Sequence, residues 1–290
     1  MLMRIVGIVF PILAIVLVAY FYGRRHPVDM GVANRLNMEF FLPALIFMAL
    51  AGKSFNLVDN LPCAIGSAIM VIGSGLLAWP LARLFGYDPR TLVFPSMVHN
   101  VGNMGLPLLL LTFGDQALGP AVVILLVVNF IQFSLGIWVL SGRFSIAMLW
   151  REPLLAAALL GVGVSLSGIT IWPPLMVAVK LLGDISIGLM IFSLGIRLST
   201  ARLNAWGIGI AGAVITPLAG MTVAWLVGEF GGLSPLDRDI LFVAGALPPA
   251  VSCFILAERY RQEPDKVASI VLIGNASAIF FIPLALALRL

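Results

Sequence analysis

Apolar residues run along this chain in long blocks joined by short polar connections. Ten blocks can be marked, at 3–22, 32–51, 61–82, 91–113, 118–140, 153–170, 175–196, 205–227, 238–258 and 267–288. Each approaches the ~20 residues a helix needs to cross a bilayer. No low-complexity run and no long linker interrupts them. The pattern predicts an all-α integral membrane protein of ten transmembrane helices.

One block departs from its own pattern. His99-Asn100-Val101-Gly102-Asn103-Met104-Gly105-Leu106-Pro107 places two Asn, a His, two Gly and a Pro at mid-depth in an otherwise apolar span. Pro107 has no N–H to donate, and the glycines weaken the helix around it. In lipid such a break is tolerated only where protein or a water-filled cavity covers the freed backbone groups. The stretch therefore predicts a broken helix at the substrate site of a secondary transporter.

A shift of 145 residues, half the chain, lays the five blocks of one half on those of the other. Pro43-Ala-Leu-Ile-Phe-Met-Ala-Leu falls on Gly188-Leu-Met-Ile-Phe-Ser-Leu-Gly, and Arg35 with Glu39 falls on Lys180 with Asp184. Asn129 meets Asn275 with a slip of one residue, and the interrupted fourth block lands on Gly245-Ala-Leu-Pro-Pro-Ala-Val-Ser252 in the ninth. An odd number of spans per copy inverts the second copy. This predicts a first five-helix repeat over 1–145 and a second, inverted one over 146–290. Paired interruptions at corresponding places point to a transporter binding site.

Basic residues set the orientation. Arg24, Arg25, Arg35, Arg83, Arg90, Arg143, Arg151, Arg197, Arg202, Arg259, Arg261 and Lys266 fall on one side, twelve in all, against Arg4, Lys53, Arg238 and Arg289 on the other. The positive-inside rule puts the larger set in the cytoplasm and both termini outside the cell membrane.

Composition agrees with this picture. Of 290 residues 61% are hydrophobic and 10% charged, against about 25% charged in soluble domains, and mean hydropathy is +1.10. The net charge of +4 sits in short loops, where it reports topology rather than a nucleic-acid surface. Cys63 and Cys253 lie in apolar blocks outside any CxxC or Cys/His cluster, so they read as fillers, with no metal or cofactor implied. The first block is too long for a signal peptide and lacks a small-residue cleavage site, and so reads as a retained helix.

At each break the second half-helix would point its N-terminal end, with N–H donors and about half a positive charge, at the interruption. That suits a carboxylate at the midplane. Candidate substrate-binding residues are His99, Asn100, Gly102, Asn103, Gly105, Pro107, Leu247, Pro248, Pro249 and Ser252. Asn and Ser would add neutral donors, and the glycines would permit close backbone approach. For His99, donation to an anion, proton relay and a purely structural bond all remain open. Glu39, Lys180, Asp184, Asn129 and Asn275 are gating or coupling candidates. The Lys180–Asp184 and Arg35–Glu39 pairs can equally neutralise each other near an interface. Trp79, Trp138, Trp150, Trp172 and Trp225 read as interfacial anchors.

Asn100-Val-Gly-Asn-Met-Gly-Leu-Pro107, the Gly-Ala-Leu-Pro-Pro of 245–249 and ten spans without a large loop resemble the auxin efflux carrier family, over essentially the whole chain. The chain looks like a compact bacterial member. The resemblance implies a sodium–proton antiporter-like architecture in which broken helices 4 and 9 cross. Helices 1, 2, 6 and 7 would form a scaffold, and helices 3–5 and 8–10 a transport domain. It implies small organic anions as substrates, auxin-like acids or dicarboxylates such as malonate, and a homodimer through the scaffold.

The competing reading is a sodium- or proton-coupled cation antiporter of the same architecture. No Asp or Glu lies in either broken stretch, where such a carrier would be expected to place one, although carbonyls and Asn alone can ligate sodium. An intramembrane enzyme finds no HExxH, no G-x-S-x-G and no mid-membrane carboxylate dyad. The chain is thus expected to be a carrier and not an enzyme, with membrane lipid and the transported anion as its partners.

Overall fold

The computed structural model describes residues 2–52, 55–142, 153–200 and 204–290. Lys53, Arg143, Trp150, Arg151 and Arg202 lie outside them. Among the described residues all regular structure is helical. The helices are α1 (Leu2–Arg25), α2 (31–51), α3 (Leu57–Leu84), α4a (Pro89–Met97), α4b (Val101–Phe113), α5 (Asp115–Ser141), α6 (Pro153–Ser167), α7 (Pro173–Thr200), α8 (Trp206–Phe230), α9a (Pro235–Gly245), α9b (Ser252–Arg259) and α10 (Pro264–Arg289). Six of them, α1, α3, α5, α7, α8 and α10, are long and apolar enough to cross a membrane unbroken. The remaining apolar blocks are shorter or interrupted. The two interruptions fall at 98–100 and 246–251. The second is where the sequence places it, but the first lies at the N-terminal edge of the 99–107 stretch, so that helix resumes at Val101 and Pro107 sits inside α4b.

Among the described residues three helices carry a π-turn, with one residue more than an α-turn. These are Asn37–Phe41 in α2, Val101–Gly105 heading α4b, and Gln132–Gly136 in α5. Such bulges rotate every later side chain around the helix axis and recur at functional sites. One consequence corrects an expectation. Arg35 and Glu39 should pair four residues apart, but the π-turn intervenes, and no ion pair joins them among the described residues. In α7, which is continuous, the matching Lys180 and Asp184 do pair, Nζ to Oδ2 at 2.8 Å.

Packing divides the helices into two groups. In one, α1 lies along α7, and α2 packs on α6 and α7. In the other, α8 packs against α3, α4a, α9a and α10, while α3 also carries α5. Burial follows: 61% of the most apolar window of α8 is buried, against 28% for α1 and 22% for α7. The deepest contact is between backbones. A Cβ at Gly220 of α8 would collide with the Gly245 carbonyl oxygen and with His99 Nε2, and one at Gly245 would come within 2.6 Å of the Gly220 carbonyl.

The turn between α9b and α10 ties to the head of α4a. Arg261 and Glu263 hold φ of 55° and 41°, a left-handed conformation costly for residues with a Cβ. Compensating bonds surround them. Thr91 Oγ1 donates to Glu263 at 2.6 Å, and Lys266 Nζ donates to its other oxygen. Gln262 Nε2 donates to Asp88 at 3.0 Å and to Thr91 Oγ1 at 3.1 Å. Partial burial pushes the Glu263 carboxyl up, but the bonds from Lys266 and Thr91 outweigh it, leaving the group below the usual glutamate range.

A carboxyl depressed on folding stabilises above its unfolded value, and that contribution fades as pH falls through the folded one. Glu263→Gln should therefore melt below the parent protein at neutral pH. The two melting curves should converge as pH drops below the ordinary glutamate value of about 4.3.

Candidate functional site

The two interruptions meet. Asn100 N donates to the Pro248 carbonyl at 2.8 Å and Ala250 N to the Val98 carbonyl at 2.7 Å, so residues 98–100 and 248–250 pair as a two-bond antiparallel ladder around His99 and Pro249. Proline explains the direction of these bonds. Pro248 and Pro249 have no N–H, so the helix ladder fails there and the exposed carbonyls find donors elsewhere. Asn275 of α10 braces the junction. Its Nδ2 donates to the carbonyls of Pro249 (3.0 Å) and Val271 (2.8 Å), and its Oδ1 accepts from Asn100 Nδ2 at 2.9 Å.

The heads of the half-helices differ in how they are capped. Asp88 caps α4a by accepting from Arg90 N, and Ser234 caps α9a by accepting from Asp237 N. Neither α4b nor α9b has a side-chain cap. Val101, Cys253 and Phe254 spend their N–H groups on the carbonyls of His99, Ala250 and Val251, and the rest of each first turn is left without a side-chain cap.

A cavity of about 150 Å³ lies at these two heads. Its wall includes residues 99, 100, 102 and 103 of one break and 250–252 and 255 of the other, but nothing from 89–98 or 235–249. It thus faces the positive ends of the second half-helices and is turned away from the negative ends of the first. Asn34, Asn37, Asn129, Gln132 and Arg197 complete its polar lining. Two amide atoms there are buried without a protein partner, Asn37 Oδ1 and Gln132 Nε2. Gln132 Oε1 accepts from Ser252 Oγ at 3.1 Å, which fixes its free Nε2. Each of the three π-turns contributes to the wall, through Asn37, through Gly102 and Asn103, and through Gln132. A second cavity of about 430 Å³ adjoins it, sharing Arg197 and Val251 and reaching Asn204 and Asp265.

The residues singled out from sequence sort into several places. His99, Asn100, Gly102, Asn103, Asn129 and Ser252 line the smaller cavity. His99 is buried with its imidazole against Gly220 of α8, among the backbones of Met97, Thr216 and Gly245 and without a well-formed hydrogen bond to any described residue. Asn129 turns its amide back onto its own helix, bonding the Leu125 carbonyl at 2.9 Å. Gly105, Pro107 and Leu247 are packing residues, a Cβ at Gly105 falling 2.7 Å from Leu247 Cδ1. Pro248 and Pro249 supply carbonyls to the junction rather than wall to the cavity. Glu39, Lys180 and Asp184 are exposed on the outside of the molecule and line neither cavity.

Asn34, Asn37, Gln132 and Arg197 are the site residues missed from sequence. A polar side chain inside an apolar block was the available signal for the first three. Arg197 was counted among the loop charges.

Comparison with known proteins adds the class. A family model described as membrane transport protein matches residues 4–145 and 137–286. The chain belongs to that membrane transport protein family. The resemblance to auxin efflux carriers pointed to the same family, and the chain is a multi-pass membrane transporter. Relatives in the membrane transport protein family include the uncharacterized transporter YfdV of Escherichia coli (strain K12), 25% identical over 286 residues and 90% of each chain. The uncharacterized transporter MJ1031 of Methanocaldococcus jannaschii is 24% identical over 301 residues and 96% of each chain.

Proposed function

We propose that this protein is a secondary carrier of small organic anions working by alternating access, with a carboxylate held at the junction of the two helix breaks. The observation that carries this reading is the composition of the cavity wall. Uncapped heads of α4b and α9b, the unpaired donor Gln132 Nε2 and one guanidinium face the space, and no carboxylate does. The unpaired Asn37 Oδ1 is an acceptor and would serve a water or a hydroxyl rather than the anion. Each helix head is worth up to about 2 kcal/mol to a partly buried anion. A cation antiporter of the same build would be expected to place a carboxylate here, and this wall has a guanidinium instead.

In this reading all ten helical stretches cross the membrane, as two inverted five-helix repeats. The α1–α2–α6–α7 group is the scaffold, and α3–α5 with α8–α10 is the transport domain moving against it. The packing supports that division, since α8 gathers one group and α7 the other. The 430 Å³ cavity reaches Asn204 and Asp265, which in sequence adjoin the basic loops of the arginine-rich side. Under the positive-inside rule that side is cytoplasmic, so this conformation opens inward, with both termini outside the cell membrane.

Uptake of labelled small carboxylates into proteoliposomes tests the site. Asn103→Ala removes a cavity-lining amide and should lower uptake about 10–100-fold, as loss of a bond to a charged group does. Pro248→Ala restores an N–H at the break, favours a healed helix, and should do the same. Both variants should keep the parent yield and chromatographic profile. Parent-like uptake in both would remove the assignment.

A further inference from the structure

We propose that the groove between α3, α4a and α5 binds one anionic phospholipid, with an acyl chain along the groove and the phosphate held by Arg83 and Arg90. The groove has a volume of about 670 Å³, more than either cavity at the junction. Its floor is α4a, which sits close on α3 because Gly75 has no side chain to hold Val93 and Met97 away. Leu76 and Trp79 of α3 form one wall, and Trp138 and Val139 of α5 the other. Both indoles are about half exposed, 46% and 50%, so the groove opens on the outer face of the molecule.

Charge lies at one end only. Apart from Asp88 and Arg90 at the head of α4a, the lining is apolar, indole or glycine. Arg83, in the last turn of α3, lies over the Trp79 ring at 5.0 Å from its centre, so a second arginine stands at the mouth. Stacking uses the face of a guanidinium and leaves its in-plane donors for a ligand. Asp88 does not occupy Arg90. Its Oδ1 accepts from Arg90 N at 2.9 Å and its Oδ2 from Gln262 Nε2 at 3.0 Å, while Arg90 Nε stands 3.8 Å away, beyond hydrogen-bond reach. Two arginines against one committed carboxylate favour a negatively charged head, and a phosphate matches the guanidinium fork.

Tryptophans at span ends sit at headgroup level, which puts this mouth where a lipid phosphate lies. From Trp79 the apolar lining follows α3 to Ile72, about 10 Å at 1.5 Å per residue. A free phosphate would leave that length empty, and an acyl chain fills it. The chain would lie on the back of α4a, whose next residue, Val98, accepts from Ala250 N at the junction. The occupant thus braces the first break from outside the candidate site.

Trp79 and Trp138 report occupancy, because bromine on an acyl chain quenches an indole that it touches. The full chain is reconstituted in dioleoylphosphatidylcholine containing increasing fractions of dibrominated phosphatidylglycerol or dibrominated phosphatidylcholine, at constant pH and salt. The phosphatidylcholine should quench in proportion to its fraction. The phosphatidylglycerol should add a component that saturates at low fraction. Its preference should be about 25-fold, about fivefold for each arginine. Arg83→Gln with Arg90→Gln should bring the preference within about twofold. Trp79→Phe with Trp138→Phe should remove the saturating component and leave the remaining quenching.

Equal quenching by the two lipids in the parent protein overturns the inference, and so does a preference that survives loss of both arginines. A saturating component that survives loss of both indoles places the site elsewhere and also overturns it. The comparison of headgroups in the parent protein needs no variant to fold.

Discussion

Gly220→Ala is expected to prevent the protein from folding to a homogeneous state, the largest effect of any single methyl group in this chain. At that point α8 and α9a touch backbone to backbone, and the added Cβ meets the Gly245 carbonyl oxygen and His99 Nε2 together. Overpacking commonly costs about 1–3 kcal/mol where side chains can yield. Here the obstacle is a helix carbonyl flanking the α9 break, so relief requires moving a helix that also holds the junction. A broad or void-volume peak in size-exclusion chromatography, or a melting temperature lowered by several degrees, is the expected result. Gly188→Ala serves as the control, because a Cβ there meets nothing within 4 Å. A Gly220→Ala protein that elutes and melts like the parent would show that the helices are further apart than described.

Asn275→Ala should abolish transport and lower stability together. One side chain holds both breaks, through Asn100 Nδ2 on one and the Pro249 carbonyl on the other. Alanine leaves that buried donor and that buried acceptor without partners, at about 1–3 kcal/mol for each. The cost falls on the two segments that shape the cavity, so uptake should drop at least ~10-fold even at temperatures where the variant stays folded. Asn275→Asp is the discriminating companion. It keeps an acceptor for Asn100, loses both donors to the Pro249 and Val271 carbonyls, and should fall between parent and alanine in melting temperature. Parent-like uptake by Asn275→Ala would mean the junction does not need its brace.

How much of this could be read from the chain depends on what each feature owes to local chemistry. The second break was legible because Pro248 and Pro249 contradict an apolar helix by their own composition; the Asn and Gly of 99–107 marked the first, although Pro107 itself lies inside α4b, past the interruption. That they meet was implied by the resemblance to the auxin efflux carriers, while the half-chain shift placed the interruptions at corresponding positions of the two halves.

The π-turns were not legible. Asn37–Phe41 and Gln132–Gly136 contain ordinary helix residues, and the extra residue per turn is a response to packing rather than a propensity. That one gap explains two errors. Arg35 and Glu39 were expected to pair because four residues make one α-turn, which does not hold across a π-turn. Asn37 and Gln132 were overlooked because each looked like a stray polar residue within an apolar block, and only the fold shows both pointing at the cavity.

Arg197 was hidden for a different reason. A basic residue in the last turn of a helix serves the positive-inside rule and the helix dipole whatever else it does. Its place in the walls of both adjoining cavities is visible only in the fold. The matched pair Asn129 and Asn275 shows the limit of the repeat. Aligned within one residue, they differ in use, Asn129 bonding its own helix and Asn275 bracing both breaks.

The central claim is that the junction binds and moves an anion. Counterflow in proteoliposomes tests it most directly, with unlabelled malonate or acetate inside and the labelled carboxylate added outside at equal pH and salt. Transient accumulation of label that requires an internal carboxylate and disappears in Asn103→Ala is the expected result. Sodium or rubidium flux with no exchange of any carboxylate would contradict it.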